Sequence, residues 1–157
     1  MDNARGLGLR ADPDGFHWAI VTGSRSEPIL VSHDRAEPPR TYTEAQALSW
    51  CRARVHEIID LHKPQRVAIR YPEPISRGKG DPARRRCRVE GVLLEAAACR
   101  DLPTHTGSLV TIGKRLGITA SRAKAYLDGE EFRTLDWNKL SHERREAILV
   151  GAGVLDD

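Results

Sequence analysis

Arg84, Arg85, Arg86 and Arg88 crowd the start of a helix that Asp81 and Pro82 announce, with Asp81 as N-cap and proline at the first helical position. Guanidinium groups near a helix amino terminus oppose its macrodipole, at a cost of roughly a few tenths of a kcal/mol each. A sequence that breaks one local rule so often in so short a stretch has a use for the charges, and the use these residues point to is an anion. The preceding loop adds Arg77 and Lys79, interleaved with Gly78 and Gly80. Arginine dominates the stretch, which suits planar contacts to phosphate or carboxylate better than solubility alone. The bland alternative is a solvated charged face. The glycines do not form a P-loop, because the GxxxxGK[ST] spacing is absent. Lys114, Arg115, Arg122 and Lys124 are further cations that the sequence does not place.

Other chemistries find little support. The six histidines are scattered, without HxxxH spacing, so no metal site and no cofactor is expected. Cys51, Cys87 and Cys99 show no CxxC pairing, which argues against a zinc site or a disulfide framework and for a reduced, cytoplasmic setting. No GxSxG or Cys–His arrangement marks a nucleophile. Trp18, Trp50 and Trp137 read as packing residues.

With 157 residues, 39% hydrophobic and 30% charged, the chain is expected to fold as one domain over residues 1–157. A net charge of +3 is weak support for a nucleic-acid partner, since distribution matters more than the sum. No apolar run approaches membrane-spanning length, and the first residues carry no signal-peptide core, so no membrane partner is expected. Homo-oligomer formation stays open.

The elements that must position these residues follow in order. Gly6–Arg10 and Phe16–Thr22 read as strands flanking an Ala11–Gly15 turn, and Pro28–Ser32 as a third strand. Ala36–Arg40 reads as an irregular link. Thr41-x-x-Glu44 and Thr43-x-x-Gln46 are overlapping capping boxes. The helix after them carries Leu48, Cys51, Val55, Ile58 and His62 on one face and ends at Lys63-Pro64. Val67, Ala68 and Ile69, bounded by Pro64 and Pro72, form a buried fourth strand ending near Arg70. The Arg-rich helix follows, then a fifth strand at Pro103–Thr106. Ser108, Thr119 and Ser141 cap three helices, the last running through Leu155 with Gly151 and Gly153 allowing close packing on a sheet. This order predicts an α/β fold: a mixed five-stranded sheet, three antiparallel strands and then two parallel ones, with helices on its faces.

The order and several segments resemble the ribonuclease-H-like superfamily, in its branch of RuvC-type Holliday-junction resolvases. Gly6-Leu-Gly-Leu-Arg10 with its turn and Phe16–Val21 is similar to that family's first hairpin, and Val67-Ala-Ile-Arg70-Tyr-Pro to its fourth strand. Glu90-Gly-Val-Leu-Leu-Glu-Ala-Ala, Val110–Gly117 and Glu143-Arg-Arg-Glu146-Ala-Ile-Leu-Val are similar to its later helices. The resemblance extends to an uncharacterised bacterial family of that fold, which also has a strand ending in Ile-Arg, a Gly/Lys-rich loop and a helix with Leu-Glu-Ala-Ala. It implies a nuclease fold whose active members hold two divalent cations, with carboxylates at the ends of the first and fourth strands and on the last helix.

At those positions this sequence has Arg10 and Arg70; only the last helix keeps acids, Glu143 and Glu146. Guanidinium groups cannot ligate Mg²⁺ or Mn²⁺. The resemblance therefore implies a catalytically degenerate protein that binds nucleic acid or another polyanion through Arg10, Arg70, Arg77, Lys79, Arg84, Arg85, Arg86 and Arg88. Arg10 and Arg70 either form an anion site or pair with Glu143 and Glu146, and the two readings can coexist. The alternative is an active Mg- or Mn-dependent nuclease in which a shifted register recruits Asp12 or Asp14 and Glu73 alongside Glu143 and Glu146. A third reading is a protein-interaction module with an acidic partner.

Overall fold

The computed structural model describes residues 4–73 and 80–157. Arg77 and Lys79 lie outside the described residues. Three strands open the chain: β1 (Gly6–Asp12), β2 (Gly15–Gly23) and β3 (Pro28–Ala36). They are followed by α1 (Glu44–His62), β4 (Arg66–Arg70), α2 (Asp81–Cys99) and β5 (Thr104–Gly107). Helices α3 (Leu109–Leu116), α4 (Ala120–Leu127) and α5 (His142–Ala152) complete the order.

The sheet runs β3-β2-β1-β4-β5, antiparallel from β3 to β1 and parallel from β1 through β4 to β5. This is the mixed α/β sheet that the order of elements predicts. Strand parity divides the core. Leu7, Leu9, Phe16, Trp18, Val67 and Ile69 face α1 and α2. Ala19, Val21 and Ala68 face α3, α4 and α5. No described helix is long and apolar enough to cross a membrane.

Helix α5 lies directly on the middle of the sheet because Gly8 permits it. A Cβ built on Gly8 would stand 1.8 Å from the Ala147 carbonyl oxygen, and one on Gly151 would stand 3.1 Å from the Gly8 nitrogen. The contact between strand and helix is thus backbone on backbone. It fixes the depth at which the first two turns of α5 present Glu143 and Glu146 to the sheet.

Four boundaries differ from the sequence expectation. The first hairpin needs only Pro13 and Asp14 as its loop, so Ala11 and Asp12 join β1 and pair with Phe16 and Gly15. Strand β3 continues past Ser32 to Ala36, through polar residues paired on one side only. Helix α2 is capped by Gly80 at φ 91°, with Asp81 inside the helix instead of at its cap. Helix α5 stops at Ala152, after which residues 153–155 turn. Of the two capping boxes, the one at Thr43 and Gln46 forms, with both reciprocal hydrogen bonds.

The stretch between α4 and α5 contains little regular structure, and a buried arginine organises it. Arg145 donates to three carbonyl oxygens: Leu127 at 2.9 Å, Trp137 at 3.1 Å and Asn138 at 2.9 Å. Trp137 is itself buried, stacks on Phe132 and donates its indole N–H to the Glu130 carbonyl at 2.6 Å.

Candidate functional site: an arginine–carboxylate cluster at the carboxyl end of the parallel strands

Arg10 and Arg70 are Cα partners across the parallel β1–β4 pair, and parity turns both side chains toward α5. Open α/β sheets place ligands at this carboxyl end of their strands. Two guanidinium groups so close need negative charge, and α5 supplies it. Glu146, only 5% exposed, accepts from Arg10 Nε at 2.6 Å through Oε2. Its Oε1 stands 3.8 Å from Arg70 Nε and 3.5 Å from His142 Nδ1. Arg10 is therefore the hydrogen-bonded partner of Glu146, and Arg70 is held by charge alone. Glu143, half-buried one turn earlier, adds attraction to Arg10.

Each arginine has a second carboxylate. Arg10 Nη1 donates to Asp12 and to the Ala11 carbonyl. Arg70 Nη1 donates to the Tyr71 carbonyl and lies 2.9 Å from Glu73 Oε1. Glu73 also accepts from the Leu109 amide at 2.8 Å, at the amino terminus of α3, where the helix dipole favours a carboxylate. Asp12 is ringed by hydrogen-bond donors: beyond Arg10, His17 Nε2 lies 3.1 Å from it and Arg35 Nε 3.5 Å. Burial pushes the Asp12 carboxyl up, but the His17 hydrogen bond and the charges of Arg10 and Arg35 prevail and hold it below the ordinary range. Burial likewise pulls Arg10 down, and the carboxylates of Glu146, Asp12 and Glu143 together more than reverse this.

Behind this rim, Arg144 of α5 is clamped by two imidazoles. It donates to His17 Nδ1 at 3.2 Å and lies 2.7 Å from His33 Nδ1. An arginine has no acceptor, so both Nδ1 atoms serve as the acceptors in this arrangement. Burial, together with Arg144, depresses the His33 pKa.

Helix α2 approaches from the other face of the sheet. Arg86 donates to buried Glu90 at 3.1 Å. Burial raises the Glu90 carboxyl, against the opposing charges of Arg86, Arg10 and Arg70. The other arginines of α2 fan outward, because successive helical positions turn by about 100°. Arg84 meets Asp81 at 3.3 Å, Arg85 meets Asp14 in the first hairpin, and Arg88 meets Glu44 at 2.9 Å. Each of these pairs is largely exposed.

The structure thus brings Arg10, Arg70, Glu73, Asp12 and Glu146 together, with Glu143 and Arg86 beside them, and sets Arg84, Arg85 and Arg88 apart along α2. Sequence reasoning does not find Glu90, His17, Arg35, Arg144 or His142. The Arg86–Glu90 spacing of four residues was a readable signal for one pair. The His17 contact depends on hairpin register, which no short motif encodes.

A two-metal centre of the kind the fold implies does not fit these residues. The carboxylates that would ligate it, Asp12, Glu73 and Glu146, already face guanidinium groups, and Arg10 and Arg70 stand among them. Among the described residues, no group of three His, Cys, Asp or Glu side chains is placed to hold a metal ion. Cys51 is buried in the α1 face, and burial pushes its thiol to about 11, so it is no nucleophile at neutral pH.

The sheet order, the crossover helices and the placement of α5 define a ribonuclease-H-like fold of the RuvC type. Solved structures with this fold include RuvC of Thermus thermophilus, with a TM-score of 0.73 at 14% identity over 94% of this chain and 90% of that one. T. thermophilus RuvC in complex with Holliday junction substrate gives 0.67 at 14% identity, over 96% and 91%. The yeast mitochondrial Holliday junction resolvase Ydc2 gives 0.55 at 10% identity, over 96% and 78%. At these identities the likeness establishes the fold. No family model matches the chain, and no curated protein matches it in sequence.

Proposed function

We propose that this protein is a catalytically degenerate ribonuclease-H-like protein that binds nucleic acid or another polyanion without cleaving it. The observation that carries this reading is the Arg10–Arg70 pair at the carboxyl end of β1 and β4, with Glu146 spanning both guanidinium groups. Where an active nuclease of this fold needs oxygen ligands for cations, this chain has its own fixed cations. Such an arrangement can hold and orient an anion at the rim.

Affinity for a polyanion follows from Arg84, Arg85 and Arg88 on the exposed part of α2, with Arg77 and Lys79 in the segment before it. Their carboxylate partners are exposed, so exchanging them for phosphate oxygens involves little desolvation. The fold neighbour in complex with Holliday junction substrate makes branched DNA the first probe. Contacts of this kind are sequence-independent and salt-dependent.

Two measurements test the proposal. Incubation with Mg²⁺ or Mn²⁺ and branched, duplex or single-stranded DNA or RNA yields no cleavage; cleavage abolished by Glu143→Gln overturns degeneracy and restores the nuclease. Binding to branched DNA weakens steeply with salt, and Arg85→Gln with Arg88→Gln lowers the log–log slope by roughly one per lost phosphate contact. An unchanged slope removes α2 from the interface.

A further inference from the structure

A cavity of about 1190 Å³ opens between the first half of α2 and the carboxyl ends of β1 and β4, with Arg10 of the arginine–carboxylate cluster at its edge. Its described walls carry two kinds of chemistry. Pro13 of the first hairpin, Tyr71 and Pro72 after β4, and Pro82 at the start of α2 are rigid and largely apolar. Arg86 and Glu90, one helical turn apart on α2, form a polar pair at 3.1 Å. Sites for small organic groups combine these features: an apolar concavity above roughly 300 Å³ with a few polar groups that fix orientation.

The polar pair is not balanced. Among the described residues, Glu90 is the one carboxylate that pairs with Arg86, and it takes the Nε–H. A guanidinium carries five donors, so Arg86 has others to offer. Burial, and next the charge of Arg10, hold the Arg86 pKa below the ordinary arginine value, so the carboxylates in reach do not make good its loss of water. A carboxyl accepts when ionised and donates when protonated. Burial raises Glu90 toward the second form, which suits it to the mixed donors and acceptors of a base edge.

The walls choose among polyanions. A paired duplex presents phosphates on a convex surface and keeps its bases stacked inside, so it can meet Arg84, Arg85 and Arg88 but has nothing to place against Tyr71. An acidic peptide meets the arginines and leaves the tyrosine and proline surface unmatched. A base with its phosphate matches both, the ring on an aromatic face and the oxyanion on a guanidinium. Resting on the nucleic-acid reading above, we infer that this cavity takes up one unpaired nucleotide of a strand, its base against Tyr71 and its phosphate on Arg86.

The test titrates the full chain, at fixed salt and with anisotropy as readout, against a paired duplex, the same duplex with one extrahelical nucleotide, and the same duplex with an extrahelical abasic sugar. The extrahelical nucleotide binds tighter than the paired duplex by roughly 5- to 150-fold, the range for one base stacked on an aromatic side chain, and the abasic probe loses the gain. Gly91 also lines the cavity, and a Cβ there meets nothing within 4 Å. Gly91→Phe therefore fills the space and abolishes the preference, while duplex affinity and its salt slope stay. Tyr71→Ala acts alike and Tyr71→Phe does not; if Tyr71→Ala unfolds the chain, Gly91→Phe decides alone. Cys87, exposed at the cavity, gives a second readout: in a Cys99→Ser chain, whose Cys51 is buried, the extrahelical probe slows reaction of the Cys87 thiol with a thiol reagent and the paired duplex, at equal saturation, does not. Equal affinity for paired and extrahelical probes, or a preference that survives Gly91→Phe, overturns the pocket and leaves the polyanion reading standing; no binding to any of the three overturns both. Protection of Cys87 by an oligoglutamate peptide, without protection by the extrahelical probe, gives the cavity to an acidic protein partner and overturns the inference.

Discussion

Replacing Glu146 by glutamine tests the charge arrangement most directly. The substitution keeps the shape and removes one negative charge from a side chain that is 6% exposed. Arg10 loses the acceptor at 2.6 Å, and Arg70 and Arg86 lose the charge that offsets Arg10. Breaking a buried pair from one side costs about 3–5 kcal/mol. Asp12 and Glu73 still compensate Arg10 and Arg70 in part, which sets the expectation at the lower end, about 3 kcal/mol. For a chain of this length each kcal/mol lowers the melting temperature by roughly 2–4 °C, so the variant should melt roughly 6–12 °C lower. Urea unfolding followed by tryptophan fluorescence is the assay, since Trp18 and Trp137 are buried. A double-mutant cycle with Arg10→Met should return a coupling of roughly 0.5–3 kcal/mol. A Glu146→Gln variant as stable as the parent, or strictly additive substitutions, would refute the reasoning and leave Arg10 as an independently solvated group.

Gly8→Ala drives a methyl group into the Ala147 carbonyl, 1.8 Å from the ideal Cβ, and should cost at least the roughly 1–3 kcal/mol of an overpacked core; urea midpoints measure it. Arg145→Met strands the carbonyls of Leu127, Trp137 and Asn138, each a loss of roughly 1–3 kcal/mol; hydrogen exchange should show protection vanishing first between α4 and α5. His33 has a depressed pKa in the fold, so the unfolded chain binds more protons below about 6.5, its unfolded value. Its contribution is complete above that value and is lost as pH falls toward the folded pKa. Glu90, raised by burial, acts with opposite sign, its contribution declining as pH rises from its ordinary value through the folded one. Stability against pH for His33→Gln and Glu90→Gln separates the two slopes.

The order of elements was legible because punctuation and periodicity agreed: Pro64 and Pro72 frame Val67–Ile69, and Thr43 with Gln46 opens α1. The boundaries that escaped are those where composition misleads. Ala11-Asp-Pro-Asp-Gly reads as a five-residue turn, yet two residues suffice to reverse the chain. Ser32–Arg35 looks too polar for a strand, but an edge strand paired on one side tolerates such residues. The site was half legible. Arg10, Arg70 and Glu146 stand out by residue type once the strands are placed. Asp12, His17, Arg35 and Arg144 join them through register and helix docking, which arise from pairings between distant segments. Arg145 gave no signal, because a charged residue in a capped amphipathic helix reads as surface.

Arg145 recognises only main-chain oxygens, so the three carbonyls it holds in residues 127–138 do not depend on which side chains those residues carry. The instruction for that connection is written in the helix that follows it. Exposed positions along it, such as Glu131 and Lys139, can be exchanged, or carry a tag or a fluorophore, without loosening the anchor. The same anchor contains no carboxylate and no imidazole, whereas the rim holds Asp12 and His33, whose pKa values burial and neighbouring charge set. Acidification should therefore act on the rim while this connection keeps its course.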